Sequence, residues 1–273
     1  MLVLLILSLV GTALTIYFGQ YLPLGEVIFW TIPLYIIFYI FLAFLLFVLV
    51  LTVISLVVKP DREHPKQIYR KMIIFICKFL TGFYRIRYQL HGFEKIPKNT
   101  TFLLVANHQS NIDPIAMIWA FRDYHITYIM KDGLMKLPIV GRWLYGSGFF
   151  PINRKNNRKA AETIINASKR IGNGVHSVAV YPEGHRSKGP NMNEFRSGVF
   201  KIAQKAESSI VVCAIDNTYK VKKRFPFSPT TIIIEVVDVW EYDRFKDLNT
   251  IDLGNEIHKQ IEDTLNKYRN IEK

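Results

Sequence analysis

The chain has 273 residues, half of them hydrophobic, enough for one sizeable domain with accessory segments. A formal net charge of +13 implies an anionic partner: nucleic acid, an acidic membrane surface or acidic substrates. Its two cysteines, Cys77 and Cys213, lie far apart in apolar contexts. They exclude a disulfide framework and suit a reducing compartment, and no Cys–His zinc spacing or RNA-binding aromatic motif occurs.

The hydrophobic excess is concentrated at the N-terminus, where Glu26 is the only charged side chain before Lys59. Leu2 to Phe18 is an uncharged run of 17 residues, and Val27 to Val58 is a second of 32. Between them Gly19 to Glu26 forms a short polar break with Pro23 and Gly25. A bilayer core of ~30 Å takes roughly 20 helical residues. The first run is just long enough to cross, whereas the second, about 48 Å as a helix, must tilt, extend beyond the core or bend near Pro33. Residues 1–58 are therefore predicted to form a two-helix membrane anchor, as two spans or as a shallow re-entrant hairpin. A cleaved signal peptide fits less well, because no basic residue precedes the first run and no convincing cleavage site follows it.

Lys59, Arg62, Lys66, Arg70 and Lys71 follow the second run, while the short connection has no Lys or Arg. Positive charge thus predicts that residues from 59 onward face the cytoplasm. From there the chain holds all 35 Lys and Arg against 21 acidic residues. Beside a membrane anchor, this surplus favours anionic lipid and acidic substrates over nucleic acid.

His64 to Phe83 places Ile68, Met72, Ile76 and Phe79 at helical spacing among Lys66, Arg70, Lys71 and Lys78. It fits a core helix or, preferred directly after an anchor, a basic amphipathic helix at the interface over residues 59–83. Tyr84 to His91 alternates as a strand, and a turn-rich link leads to the apolar strand Phe102 to Val105. Further helices are predicted over 114–121, 158–171, 198–206 and 250–268, with strands over 126–130, 177–181, 210–215 and 231–239. This alternation predicts an α/β layered domain over residues 84–273 with a mixed or mostly parallel sheet.

The 102–105 strand ends in Asn107-His108-Gln109-Ser110-Asn111-Ile112-Asp113-Pro114. Pro114 suits the first helical position and Asp113 the capping position before it. On one straight helix residues five apart point about 140° away from each other. His108 and Asp113 therefore meet only if the turn folds His108 back to the helix start. If so, the carboxylate fixes one imidazole tautomer and leaves the other nitrogen to take a proton from a hydroxyl. By itself the spacing is equally that of a helix cap and a polar loop histidine.

Two further polar clusters follow apolar stretches. Gly146 to Arg154 is glycine-rich before Phe149 and Phe150, with glycines that permit close backbone approach and an arginine fork suited to phosphate. Tyr181-Pro182-Glu183-Gly184-His185-Arg186-Ser187 follows the strand Ser177 to Val180. Ligands of open α/β sheets bind at the carboxyl ends of strands. Lys131, Arg154, Arg186 and Lys188 are candidates for a basic pocket there, each individually also explicable as a surface charge.

Taken together these clusters resemble the lysophosphatidic acid acyltransferase family of glycerolipid acyltransferases. Asn107, His108, Asp113 and Pro114 match its first block, and Gly148 through Ile152 to Arg154 its second. Tyr181 to Gly184 with Arg186 and Ser187 matches the third, usually written with Phe first. Phe195, Gly198 and the helix to Ala206 resemble the stretch that follows, and Ile210 to Ile215 the apolar fourth block. The resemblance covers residues 85–220, four blocks in order. His185 departs from it by replacing a threonine, and Ser209 and Val212 stand where prolines are common.

The resemblance implies a glycerolipid-acyltransferase-type fold and transfer of a fatty acyl group from a thioester to a lysophospholipid hydroxyl, most simply that of 1-acylglycerol-3-phosphate to give phosphatidate. It implies His108 as general base, Asp113 as its orienting carboxylate, and Arg154, Glu183, Gly184 and Arg186 around the acceptor phosphate. Acyl-CoA or acyl-ACP is the implied co-substrate, with no metal or other cofactor, membrane lipids are the partners, and the cytoplasmic face of the cell membrane is the location. His185 keeps a different lyso-lipid acceptor in view, and a catalytically silent lipid-binding protein on this fold is the alternative from another class.

Overall fold

The structure, a computed structural model, describes residues 9–14, 16–17 and 25–271. It divides into two compact units, Met1–Lys59 and Pro60–Lys273.

In the first unit, residues 9–14 and 16–17 are helical and α1 spans Gly25–Val57. The helix starts within the polar break and continues through Pro33. Its Pro33–Val57 portion is long and apolar enough to cross a membrane. Leu34, Ile37, Phe41, Leu46 and Val57 are among its exposed side chains, as expected of a helix whose solvent is not water. The distinction between two spans and a hairpin turns on residues 18–24, which lie outside the described residues.

The second unit opens with α2 (Gln67–Phe83) and is built on a seven-stranded sheet. The strands are β1 (Ile86–His91), β2 (Leu103–Ala106), β3 (Ile126–Lys131), β4 (Phe150–Ile152), β5 (Ser177–Val180), β6 (Ile210–Asp216) and β7 (Thr230–Trp240). Their order is β1-β7-β6-β2-β5-β3-β4, and every pairing is parallel except β6 with β7. The predicted mixed, mostly parallel sheet is the one found. β2, four fully buried residues, sits at its middle between β6 and β5.

Residue alternation sends Leu103 and Val105 to one face, where α5 (Asn157–Gly172), α6 (Lys201–Ala206) and α7 (Thr250–Ile271) cover them. α7 contributes Leu253, Ile257, Ile261 and Leu265, a fourfold stripe that gives each residue about 1.5–3 kcal/mol on full burial. Leu104 points to the opposite face, where α2 packs against α3 (Asp113–Ala120) through its buried Tyr69, Met72, Ile73 and Cys77.

Several readings change in detail. The stripe expected along α2 is divided: Met72 is core, whereas Ile68 and Phe79 are exposed together with Phe75 and Phe83. The helix therefore has one core face and a second apolar face turned outward. Gly146 closes a short helix, α4 (Val140–Gly146), and Phe150–Ile152 is an edge strand, the position a sheet allows to Pro151. The close approach at Gly146 and Gly148 is to protein, not to a ligand: a Cβ would meet the Tyr69 ring at 2.3 Å and Arg170 Nη1 at 2.5 Å. Val212, where the family often has proline, is fully buried in β6 beside a register shift.

At the amino ends of β3 and β5 the rings of His125 and His176 lie 5.5 Å apart, and the buried Nδ1 of His176 has no hydrogen-bond partner among the described residues. Burial, then the charges of Arg170, His125 and Arg70, push His176 down to about 4 from 6.5. Between those values the unfolded chain binds more protons than the folded one, so stability falls as the pH drops through this window and levels off below it. In thermal melts of the full chain in detergent, His176→Asn should flatten the decline in Tm between pH 6.5 and 4. Parallel declines in the two proteins would refute this.

Candidate active site

Three neighbouring strands, β6, β2 and β5, open into polar loops at their carboxyl ends. The loop after β2 is first held by Asn107, which extends the ladder through its side chain. Its amide donates to Ile215 O at 2.9 Å and accepts from Ile215 N at 2.8 Å. Gln109 Nε2 then donates to Asp216 Oδ1 at 2.8 Å, and Arg269 from α7 reaches the same carboxylate at 3.3 Å. The loop is bound on the β5 side by Ser187 N–H to His108 O (2.8 Å) and Lys188 N–H to Gln109 O (3.0 Å).

This clamping folds His108 back onto the start of α3. His108 Nδ1 lies 2.6 Å from Asp113 Oδ2. Asp113 does not cap the helix, as its sequence position suggests, but is the first helical residue, with Ile112 in the capping position. Its fully buried carboxylate turns back into the loop instead. Oδ2 accepts also from the Ser110 N–H at 2.8 Å, and Oδ1 accepts from the Thr218 hydroxyl. With Asp113 an acceptor, Nδ1 carries the ring proton and Nε2 is the basic nitrogen. His108 Nε2 has no hydrogen bond among the described residues, and the side chain is 12% exposed.

Tyr181, the first residue of the loop after β5, lies flat against the imidazole at 4.4 Å between centroids and 18° between planes. Its buried hydroxyl has no hydrogen-bond partner among the described residues. Burial and the nearby Asp113 carboxylate hold that phenol in its protonated form, far above the ordinary range. His108 is thus fixed along one edge by Asp113 and on one face by Tyr181.

The predicted phosphate-binding residues divide into two groups. Glu183 is 1% exposed and faces inward. Oε1 accepts from His108 N at 2.5 Å, and Oε2 accepts from Asn193 N and Nδ2, both at 2.8 Å. Burial pushes this carboxyl up, and the three N–H donors oppose the push. Among the described residues Glu183 makes no ion pair with an arginine, and what it orients is the backbone of His108. Gly184 has φ +71°, and a Cβ there would meet Arg196 Nε at 2.8 Å.

Arg154 and Arg186 belong to the open side of the site, joined by Arg196. Partial burial and then the charges of Arg196 and Arg186 lower Arg154 from its ordinary value, with Asp132 opposing. None of the three guanidiniums has an ion pair with a carboxylate among the described residues. Beside the couple a recess of about 140 Å³ is lined by Ser110, Arg186, Lys188, Thr218 and Lys222, among others. Like charges gathered without a carboxylate ion pair favour an anion. Among the described residues no group of three or more His, Cys, Asp or Glu is placed to hold a metal ion.

Sequence reasoning missed Thr218, Gln109, Asn193 and Arg196. Thr218 lies 105 positions from Asp113, and nothing local marks it. Arg196 carried a signal, since it falls between Phe195 and Gly198 in the stretch after the third block.

Comparison with known proteins accords with this geometry. The Acyltransferase family model matches residues 87–216. The 1-acyl-sn-glycerol-3-phosphate acyltransferase of Borreliella burgdorferi is 28% identical over 201 residues, 71% of this chain and 78% of that protein. Human 1-acyl-sn-glycerol-3-phosphate acyltransferase beta is 27% identical over 159 residues, 57% of this chain and 56% of its own length. The chain thus spans a little over half of the human relative. The crystal structure of the 1-acyl-sn-glycerophosphate acyltransferase of Thermotoga maritima superimposes with a TM-score of 0.64 at 20% identity, covering 98% of this chain and 95% of that one, which is a shared fold. With the four sequence blocks converging on one sheet edge, the chain is similar over residues 87–216 to the acyltransferase family and to relatives named as 1-acyl-sn-glycerol-3-phosphate acyltransferases.

Proposed function

We propose that the protein transfers a fatty acyl group from an acyl thioester, acyl-CoA or acyl-ACP, to the sn-2 hydroxyl of 1-acylglycerol-3-phosphate, giving phosphatidate for phospholipid synthesis. One observation carries the reading: an imidazole with its Nδ1 on a buried carboxylate and its Nε2 unpartnered stands beside guanidiniums without counter-ions. That is what a hydroxyl attached to a phosphate monoester requires.

In this scheme Arg154, Arg186 and Arg196 bind the acceptor phosphate and bring the glycerol hydroxyl to His108. Nε2 takes the hydroxyl proton as the oxygen attacks the thioester carbonyl. The tetrahedral intermediate collapses by breaking the carbon–sulfur bond, and the imidazolium returns its proton to the leaving thiolate. Asp113 stabilises the imidazolium, and Thr218, Ser110 and Glu183 hold the couple in place. The thioester is already activated, so the chemistry needs no further cofactor. Residues 1–58 hold the enzyme in the cell membrane, with the basic catalytic unit on the cytoplasmic face, in accord with the lysines and arginines that follow the long apolar helix. A membrane site spares the acceptor extraction into water, at ~0.8 kcal/mol per exposed CH₂.

Purified protein assayed with lysophosphatidate and acyl thioester tests the scheme. His108→Ala should lose ~10²–10⁴-fold in kcat, the usual worth of positioned proton transfer. Asp113→Asn should lose activity on the same scale, and near-normal turnover in either variant would end the assignment. Thr218→Val should lower kcat with little change in either KM, and Thr218→Ser should restore it. A Val variant with full kcat would remove Thr218 from the couple. Arg154→Ala should raise the acceptor KM about tenfold, the loss of one charge-assisted hydrogen bond. If only the thioester KM rises, the cluster serves the donor instead. An acceptor panel distinguishes lysophosphatidate from other lyso-lipids, including any preference set by His185.

A further inference from the structure

The connection from β6 to β7 begins beside the His108–Asp113 couple and ends in an exposed apolar tip. Thr218 donates to Asp113, and Lys222 lines the recess. The chain then runs Lys222-Lys223-Arg224-Phe225-Pro226-Phe227. Lys222, Lys223 and Arg224 are exposed, and Phe227, at 88%, is the most exposed large hydrophobic side chain among the described residues.

This tip is held in place. Phe225 N–H bonds Val221 O at 3.0 Å and Ser228 N–H bonds Arg224 O at 2.9 Å. Arg85 Nη1 donates to Pro226 O at 3.0 Å and Phe227 O at 3.2 Å. The Phe225 ring packs on Phe83 at 5.0 Å and on Tyr84 at 5.3 Å. Phe83 in turn stacks on Phe79, and both are exposed, as is Phe75 one turn earlier. A fastened loop that holds a phenylalanine in solvent, continuous with an apolar helix face and rimmed by Lys71, Lys78, Lys222, Lys223 and Arg224, has the composition of a membrane-interface surface.

Topology puts it at the right end of the molecule. β7 is antiparallel to β6 and β1 is parallel to β7. The starts of β1 and β7 therefore lie at the same sheet edge as the carboxyl ends of β2, β5 and β6. The end of α2, the 222–227 tip and the catalytic loops share that edge.

We propose that the 222–227 tip and the outward apolar face of α2 form a docking surface for an anionic phospholipid bilayer, with Phe227 seated among the headgroups and the Lys223 and Arg224 charges on lipid phosphates. This deepens the lipid-acceptor reading and rests on it for its purpose, but its test does not use turnover.

The full chain, carrying a nitroxide at Phe227→Cys, is reconstituted into vesicles of phosphatidylcholine alone or mixed with phosphatidylglycerol. Cys77 and Cys213 are buried, so the label goes to the introduced thiol. In the anionic vesicles the label should gain collisions with oxygen and lose them with an aqueous nickel chelate. In neutral vesicles it should remain water-accessible, as should a label at Asn173→Cys, beyond α5 at the opposite sheet edge. Adding Lys223→Gln and Arg224→Gln should return the 227 label to water in the anionic vesicles. A 227 label that stays aqueous there, one that inserts equally in both lipids, or spin–spin broadening from a second copy on this face would each overturn the proposal. An inserted label on a protein without acyl transfer would uphold the surface and refute the function, and the reverse would refute the surface alone.

Discussion

Everything at the catalytic edge depends on one buried carboxylate having the right donors. Asp113 is removed from water and receives hydrogen bonds from a ring, a backbone N–H and a hydroxyl. A buried carboxylate short of partners is costly, by several kcal/mol even after relaxation. The fold therefore has reason to bring His108, Ser110 and Thr218 together, and the geometry of the His108–Asp113 couple and the folded state are satisfied by the same contacts. The adjacency of β2 and β6 makes this possible, since it carries Thr218 to within reach of a residue early in the chain.

The β5 side repeats the arrangement in another form. Glu183 sits under the loop that carries His108 and takes hydrogen bonds from that loop and from Asn193. The two carboxylates thus hold the histidine from two directions, one through its ring and one through its backbone. The cationic groups are left outside this network. Arg196 and Arg186 bear on Arg154 as like charges that an anion would relieve, which sets this cluster apart from the hydrogen-bonded half of the site around His108.

Much of this was legible in the sequence because long, strongly patterned segments leave little choice. The buried strands at 103–106 and 210–216, the amphipathic 157–172 and 250–271 helices and the polar residues after the apolar runs announce both the sheet and its functional edge. Less legible were elements too short to show a period, such as the three-residue β4. Side-chain direction was legible least of all. Glu183 was expected around the acceptor phosphate, and its carboxylate instead holds the backbone of His108, because burial is decided by packing across strands. Thr218 joined the site by strand adjacency alone, and α2 carried two apolar faces where its spacing suggested one.

The stacked pair of Tyr181 and His108 bears on how the site spends its freedom of motion. An imidazole gripped along one edge and covered on one face keeps two open approaches, in the ring plane at Nε2 and from its uncovered side. The hydrogen bond and the stacked ring restrict rotation about its side-chain bonds in the unliganded protein. The entropy of orienting the ring is then lost once, when the chain folds, and under the proposed mechanism an incoming hydroxyl would meet a nitrogen already aimed.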